Sequence, residues 1–451
     1  MSSKPLSNVC RGSDPCWTSG STTVYDRYLR PVGMILLAAI LLITGSYVRT
    51  RTLEESDTAD WLVLVQLGMC VAGAFVGCSL IRKHSLGGPG GRRLIAFCLA
   101  VITSGLFSSY FKLVAGYWVL LVGTGLLCIG LVSSSGTEPS LRRVEALILV
   151  TLSLMIVKDT ILSLFILEPI EAQDVFRLGE GVTNANLLGL TAALAFCMSL
   201  GMPAKSNAAR ISWFALRGLF AAVILLSRSR IALIAVVVGF VIRLWFSKRN
   251  SLRTRSYALG AIPCCIGSLV VLASLTWTME LQPVTALVDF VNRGEGAGEV
   301  ISLTGRMEIW PYAVQRVFDG TTSLIFGHGY GASKEVLNES NWRASFLAYH
   351  SHNTVLELLV ATGLLGTLPF LLLVSYSLKW LTRFVELCKS FSVVLALRAI
   401  AVIAAILSST VTESDLATKI GPLMIVFMFY VLALDRQAVF TVESAGEIHA
   451  E

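Results

Sequence analysis

A histidine stands at the start of a long apolar run: His352-Asn353 is followed by nine residues, then Gly363, two more residues, and Gly366. Imidazole titrates near neutral pH and is the commonest general base, so His352 is a candidate to accept a proton. The competing reading is a histidine that caps or hydrogen-bonds the start of the helix it precedes. Gly363 and Gly366 permit close helix contact within the run, which would hold the helix top in one position. Asn353 adjoins His352 and is a candidate to support it. Glu357 falls inside the same run, and an ionisable group at membrane depth is a functional candidate. It either orients His352 or an arginine, or stays protonated as a structural group.

Around the histidine the sequence supplies guanidinium groups. The loop before His352 carries Arg293, Arg306, Arg316 and Arg343. Guanidinium stays charged and binds phosphate oxygens through paired donors, so arginines at a membrane surface suit an anionic lipid headgroup such as a diphosphate. Arg306 follows Gly305 and precedes a helix-like apolar pattern that includes Trp310; it reads as an anion ligand at a helix N-terminus, or as a partner of Glu308 or Asp319. Ser227-Arg228-Ser229-Arg230 forms a very short turn between two apolar runs, where Arg228 and Arg230 either bind the headgroup or snorkel at the interface. The segment from Arg177 to Asn186 leads into another run; Asn184 and Asn186 can hydrogen-bond sugar hydroxyls or cap a helix, and Arg177 joins them as a candidate substrate ligand. Lys158-Asp159 is an ion pair inside a run, near the site or in contact with lipid phosphate.

Other chemistries are disfavoured. Gly327-His328-Gly329-Tyr330-Gly331 is only superficially like a phosphate loop, for no strand and no Gly-Lys-Ser/Thr signature accompanies it, and it reads as a sharp turn that sets a cap against the membrane. No His/Cys/Asp cluster has metal-ligand spacing and no Asp-x-Asp motif is present, which disfavours a metal-dependent nucleotide-sugar transferase.

The elements that must position these groups are membrane helices. The chain has 451 residues, of which 55% are hydrophobic and 14% charged, with mean hydropathy +0.72. That composition predicts an all-α polytopic membrane protein. About twelve runs reach the roughly 20 apolar residues a bilayer crossing needs: 31–48, 61–81, 94–110, 114–133, 145–168, 184–201, 212–227, 231–247, 256–277, 353–378, 392–410 and 418–435. Lys and Arg concentrate in alternate loops (Arg82, Lys83, Arg92 and Arg93; Arg142 and Arg143; Lys205 and Arg210; Lys248 to Arg255; Lys379 to Lys389), which places those loops and both termini in the cytoplasm. The opposite loops are short or acid-balanced, as with Glu413 and Asp415.

The resulting division is a cytoplasmic tail at 1–30, nine helices within 31–277, a catalytic outward loop at 278–352, three helices within 353–435 and a cytoplasmic tail at 436–451. The outward loop is long enough, and has enough apolar segments, to fold as a small helical cap on the bundle's outer face. The polar N-terminus is unlike a cleaved signal peptide, so the first run should remain as an anchor, and no lipidation motif is expected at either end. The net charge of +7 is dispersed, which argues against a nucleic-acid partner. The ten cysteines fall in apolar runs or cytoplasmic segments, so no disulfide framework is expected.

Together, Asn184 and Asn186, Ser227-Arg228, Gly305-Arg306 with Trp310, Gly327 to Gly331, and His352-Asn353 with Gly363 and Gly366 resemble the O-antigen ligase and polymerase superfamily of bacterial inner-membrane proteins. The likeness covers roughly 175–380 in motif and the whole chain in topology. It implies a GT-C-like fold and a glycan carried on undecaprenyl diphosphate at the periplasmic face of the cell inner membrane. The glycan would pass to a hydroxyl of lipid A-core in a ligase, or to a second lipid-linked glycan in a polymerase, with no metal or other cofactor. By the same resemblance Arg228 and Arg306 neutralise the diphosphate, Arg230 supports them, and His352 withdraws the acceptor proton. A twelve-span transporter or flippase is the alternative of another class. Transporters place ionisable groups near the midplane, whereas these candidates lie at one face, and no internal repeat is evident. His352, Arg228 and Arg306 are therefore expected to line one outward cavity, and a separation beyond about 15 Å would undercut the diphosphate site.

Overall fold

The computed structural model describes residues 24–45, 61–81, 88–135, 138–166, 178, 184–200, 202, 206–247, 306–338, 350–382, 393–410, 413–414, 416 and 421–447. The expected run at 256–277 and the candidates Arg177, Arg293 and Arg343 lie outside them, as does the side chain of Arg306. Every described element is helical: α1 (Val24–Gly45), α2 (Trp61–Leu80), α3 (Pro89–Leu106), α4 (Phe111–Ser134), α5 (Glu138–Ile166), α6 (Ala185–Ser199), α7 (Asn207–Leu226), α8 (Arg230–Ser247), α9 (Arg306–Val317), α10 (Thr321–Phe326), α11 (Ser333–Asn338), α12 (Thr354–Thr382), α13 (Val393–Ser409) and α14 (Pro422–Glu447). Helices suit such a chain because they satisfy their own backbone groups where lipid offers no partners.

Each expected run other than 256–277 overlaps a helix, yet by length and composition five described helical segments suffice to cross a bilayer: Trp61–Leu80, Phe111–Ser134, Pro139–Phe165, Asn207–Leu226 and Thr354–Lys379. Three further apolar helices are shorter in their described residues, Tyr28–Thr44, Ala185–Ser199 and Leu395–Ser409. Ala185–Ser199, for example, has 15 residues, about 22 Å at 1.5 Å per residue, against a hydrocarbon core of about 30 Å.

Three helices form the centre. In α6, α13 and α14 almost every described side chain is buried, including Leu187 to Ala195, Leu395 to Ile406 and Leu423 to Leu434. The outer helices leave large apolar side chains exposed, such as Trp61 and Phe75 on α2 and Ile211 and Phe214 on α7; that is the pattern of a surface facing hydrocarbon. α2 and α4 pack backbone to backbone, since a Cβ at Gly123 would collide with Cys70 and one at Gly130 with Gly77.

The loops sort to the two ends of the bundle. At one end, the Ser104 hydroxyl donates to Phe326 O and that of Ser108 to His328 O, and Thr354 N–H donates to Thr410 O at 3.0 Å. At the other, Arg30 donates to Ser134 O and to the Ser140 hydroxyl, and Arg436 donates to the carbonyls of Val132 and Ser133. There too Asp435, on α14, accepts from Gly91 N–H at 3.2 Å and from the Tyr376 hydroxyl at 2.6 Å, capping the first turn of α3 from another helix.

Helices α9 to α11 form the cap. Ile309, Ala313, Val317, Ala332, Val336 and Leu337 make a small apolar cluster closed by Val360 of α12, with Tyr110 and Leu113 packed against it. Tyr330 plugs the cap into the bundle, its ring edge-on to Phe97 and to Tyr117 at 6.2 Å each. Burial pushes its hydroxyl well above the usual tyrosine range.

Candidate functional site

The turn leading into α12 is held from three directions. Asn353 is the N-cap, its Oδ1 accepting the N–H groups of Val355 and Leu356 at 3.0 Å each. Capping thus falls to Asn353 and the imidazole of His352 is left for other contacts. Ser351 donates from its N–H (2.7 Å) and its hydroxyl (2.9 Å) to Glu357 Oε2, while its carbonyl accepts the Trp310 indole N–H at 2.9 Å. Between these restraints His352 adopts φ 53°, and Arg228 adopts φ 49°; among the described residues these are the two non-glycine positions with positive φ. Left-handed backbone costs a residue with a Cβ about 1–2 kcal/mol, and such strain gathers at functional sites.

His352 Nδ1 lies 3.3 Å from Glu413 Oε2; the histidine side chain is 25% exposed and the carboxylate side chain 2%. The other oxygen, Oε1, accepts from Asn186 Nδ2 at 2.9 Å. Glu413 is itself fixed, its N–H donating to Ser409 O at 2.9 Å and its carbonyl accepting the Thr354 hydroxyl at 2.8 Å. One buried carboxylate therefore joins α6, the end of α13 and the start of α12. Glu357 does not make this contact: it shapes the histidine's turn through Ser351, and the ring's partner is Glu413. In the sequence Glu413 stood only as an acid in a short loop. The available signal was its place directly after an apolar helix, on the side expected for His352. His350 was also missed; its ring sits 4.0 Å from that of His352, centroid to centroid, at 64°.

The two asparagines divide the alternatives between them. Asn184 caps α6, accepting Asn186 N–H at 2.9 Å, whereas the Asn186 side chain engages Glu413. One turn along α6, the 227–229 turn packs against Gly189, where a Cβ would lie 2.6 Å from Ser227 Oγ and 2.9 Å from Ser229 Cβ. Only a glycine admits the turn so closely, and Arg228 and Arg230 are thereby brought to the same end of α6 as Asn186. Leu178, which follows Arg177, donates its N–H to Leu226 O at 3.0 Å and joins that turn. Arg306 is the first residue of α9, one turn before Trp310, whose indole reaches the residue preceding His352. Lys158 and Asp159 form an ion pair at 3.0 Å, and Asp159 lines a small cavity with Leu187, Leu188 and Thr191 of α6.

The glycine-rich turn belongs to the scaffold. α12 is broken at Gly363, with φ 59° and ψ −161°. Against the break lies Gly327: His328 and Gly329 donate their N–H groups to Val360 O (2.9 Å) and Ala361 O (2.7 Å). A Cβ on Gly327 would come within 2.5 Å of the Gly363 and Thr362 nitrogens, and one on Gly363 within 2.5 Å of Ile325 O. The expected glycine contact thus joins α12 to the cap turn at Gly363, while a Cβ on Gly366 would meet Thr362 of its own helix. His328 faces the cap, with Nε2 2.9 Å from Arg316 O.

Chemically, the arrangement offers an imidazole with one nitrogen held by a carboxylate, and an arginine-bearing turn packed against the same end of α6 that supplies Asn186. Comparison with known proteins adds one finding: residues 214–371, about a third of the chain, match the family model described as O-antigen ligase. The matched stretch includes the 227–230 turn, the cap helices, His352 and Gly363. No curated protein matches the chain.

Proposed function

The chain belongs to the O-antigen ligase superfamily through residues 214–371, and from that premise we propose that it is a membrane glycosyltransferase acting on undecaprenyl-diphosphate-linked glycan at the periplasmic face of the inner membrane. The acceptor is a hydroxyl of lipid A-core. His352, whose Nδ1 lies on the buried Glu413 carboxylate, is the observation that carries the proposal. An ionised Glu413 accepts the Nδ1 proton, which leaves the Nε2 lone pair free to act as base and stabilises the imidazolium that follows.

In the reaction the acceptor oxygen attacks the anomeric carbon, the bond from that carbon to the phosphate oxygen breaks, and the acceptor proton moves to His352 Nε2. Undecaprenyl diphosphate leaves carrying the bonding pair. Arg228 and Arg306 balance its charge, with Arg230 in support, which is the stabilisation a divalent cation gives elsewhere. Asn186 steadies Glu413 through its side-chain N–H, and Arg177 and Lys158 complete the cationic surroundings. The remaining spans, the GT-C-like arrangement and the cytoplasmic termini belong to the same proposal, supported by the sorting of alternate loops to opposite ends.

The test supplies purified protein with the lipid-linked glycan, adding lipid A-core in one reaction and only further donor in the other, with His352→Ala beside the unaltered chain. Transfer to lipid A-core that disappears in the variant supports the ligase. Lengthening of the donor glycan alone would make the enzyme a polymerase, and neither product would overturn a transferase.

A further inference from the structure

α9 has more apolar surface than the cap can bury. Ile309, Ala313 and Val317 face the small core. A second stripe, Trp310, Val314 and, in the turn that continues the helix, Phe318, recurs at the same four-residue spacing one position on. Its first member is tied to the catalytic turn through Ser351; the next two are 44% and 67% exposed. Nearby, Phe326 at the end of α10 stacks on Phe107 at 3.9 Å, and Phe107, Leu106 and Leu99 are all more than half exposed along α3. Through Phe326 the cap is joined to a bundle face that presents hydrocarbon outward. Polar groups accompany it, Arg316 lying 5.4 Å over the Tyr312 ring and pairing with Asp319 at 3.0 Å. Tryptophan, tyrosine and arginine beside an exposed aliphatic and aromatic stripe are the composition of a helix that lies in a membrane interface.

We propose that α9 rests in the leaflet at the site's end of the bundle, with Val314 and Phe318 among the acyl chains, and that this contact sets the height of the His352 turn at the headgroup level. The link is short: Phe318 and Val314 enter the leaflet, Trp310 stays at its boundary, and Trp310 holds Ser351. An exposed patch of this kind on a soluble cap would otherwise seek a protein partner or aggregate.

The test uses the full chain in lipid nanodiscs of phosphatidylethanolamine and phosphatidylglycerol, with native cysteines replaced and helical content checked. Single cysteines at Val314, Phe318 and, as a reference on the polar start of α10, Thr322 carry a nitroxide label. Relaxation by oxygen, which partitions into lipid, is compared with relaxation by a water-soluble nickel chelate. The expected result is an oxygen-to-nickel ratio at 314 and 318 at least several-fold above that at 322. Equal ratios at the three positions would overturn the proposal. So would protection of 314 and 318 from both reagents together with dipolar broadening between labels, which would make a second copy the occupant. Because no turnover is needed, the outcome is separate from the choice of ligase, polymerase or neither.

Discussion

With Nδ1 of His352 engaged by Glu413, the chemistry at this position depends on a tautomer, and each partner has its own signature. Removing the base in His352→Ala is expected to lower turnover about 10²- to 10⁴-fold while donor binding is retained. Equilibrium binding of the lipid-linked donor, measured alongside single-turnover transfer, separates the two effects. Glu413→Gln keeps the size of the side chain but can present an amide N–H to Nδ1, forcing the proton onto Nε2, where the lone pair is needed. A loss of roughly 10²-fold or more in kcat with little change in KM is expected, and activity near that of the unaltered chain would remove Glu413 from the mechanism. His352 and the arginines were legible because ionisable groups are conspicuous against apolar sequence. Glu413 was not, for its importance lies in a contact across sixty-one residues that no local pattern announces.

At the scale of elements the site depends on how α12 meets the cap. Gly363 and Gly327 both have positive φ, 59° and 71°, and their backbones touch, so neither strain nor space permits a side chain. Gly363→Ala and Gly327→Ala are each expected to cost about 2 kcal/mol or more of stability. Gly116→Ala, within α4 with nothing within 4 Å of the added carbon, is expected to be neutral or slightly stabilising, since alanine is the better helix former by about 1 kcal/mol. Thermal unfolding of the three variants in one detergent checks the contrast, and equal shifts would contradict the geometry. The sequence showed the spacing of Gly363 and Gly366 and hence a point of close approach. It could not show that the first glycine breaks the helix, because the sign of φ follows from what packs against it. In the sequence the capping reading falls on His352, with Asn353 in support, and the hydrogen bonds give the cap to Asn353 instead.

Across the whole molecule, the bundle is tied together by a buried ion pair whose hydrogen bonds join residues other than those of the proposed site. Arg398 on α13 holds both oxygens of Glu145 on α5, at 2.8 and 2.6 Å, and Tyr430 on α14 donates to the same carboxylate at 2.6 Å. Both charged side chains are fully buried. The expected runs 145–168 and 392–410 contained both residues, yet hydropathy averages over a run and gives no sign that two lone charges inside different helices meet. Buried pairs recover their desolvation only while both members are present. Arg398→Met leaves Glu145 and the Tyr430 hydroxyl without their cation, and is expected to cost about 3–5 kcal/mol. Replacing the group together, as Glu145→Leu/Arg398→Met/Tyr430→Phe, removes the orphaned charge and hydroxyl and is expected to restore most of that stability. Thermal midpoints in detergent distinguish the two, while transfer per folded molecule should match the unaltered chain in the triple variant, because the contacts of the proposed site run through Glu413, Asn186 and Ser351 instead. A triple variant that folds as stably as the original but no longer transfers glycan would show that this ion pair reaches the site after all.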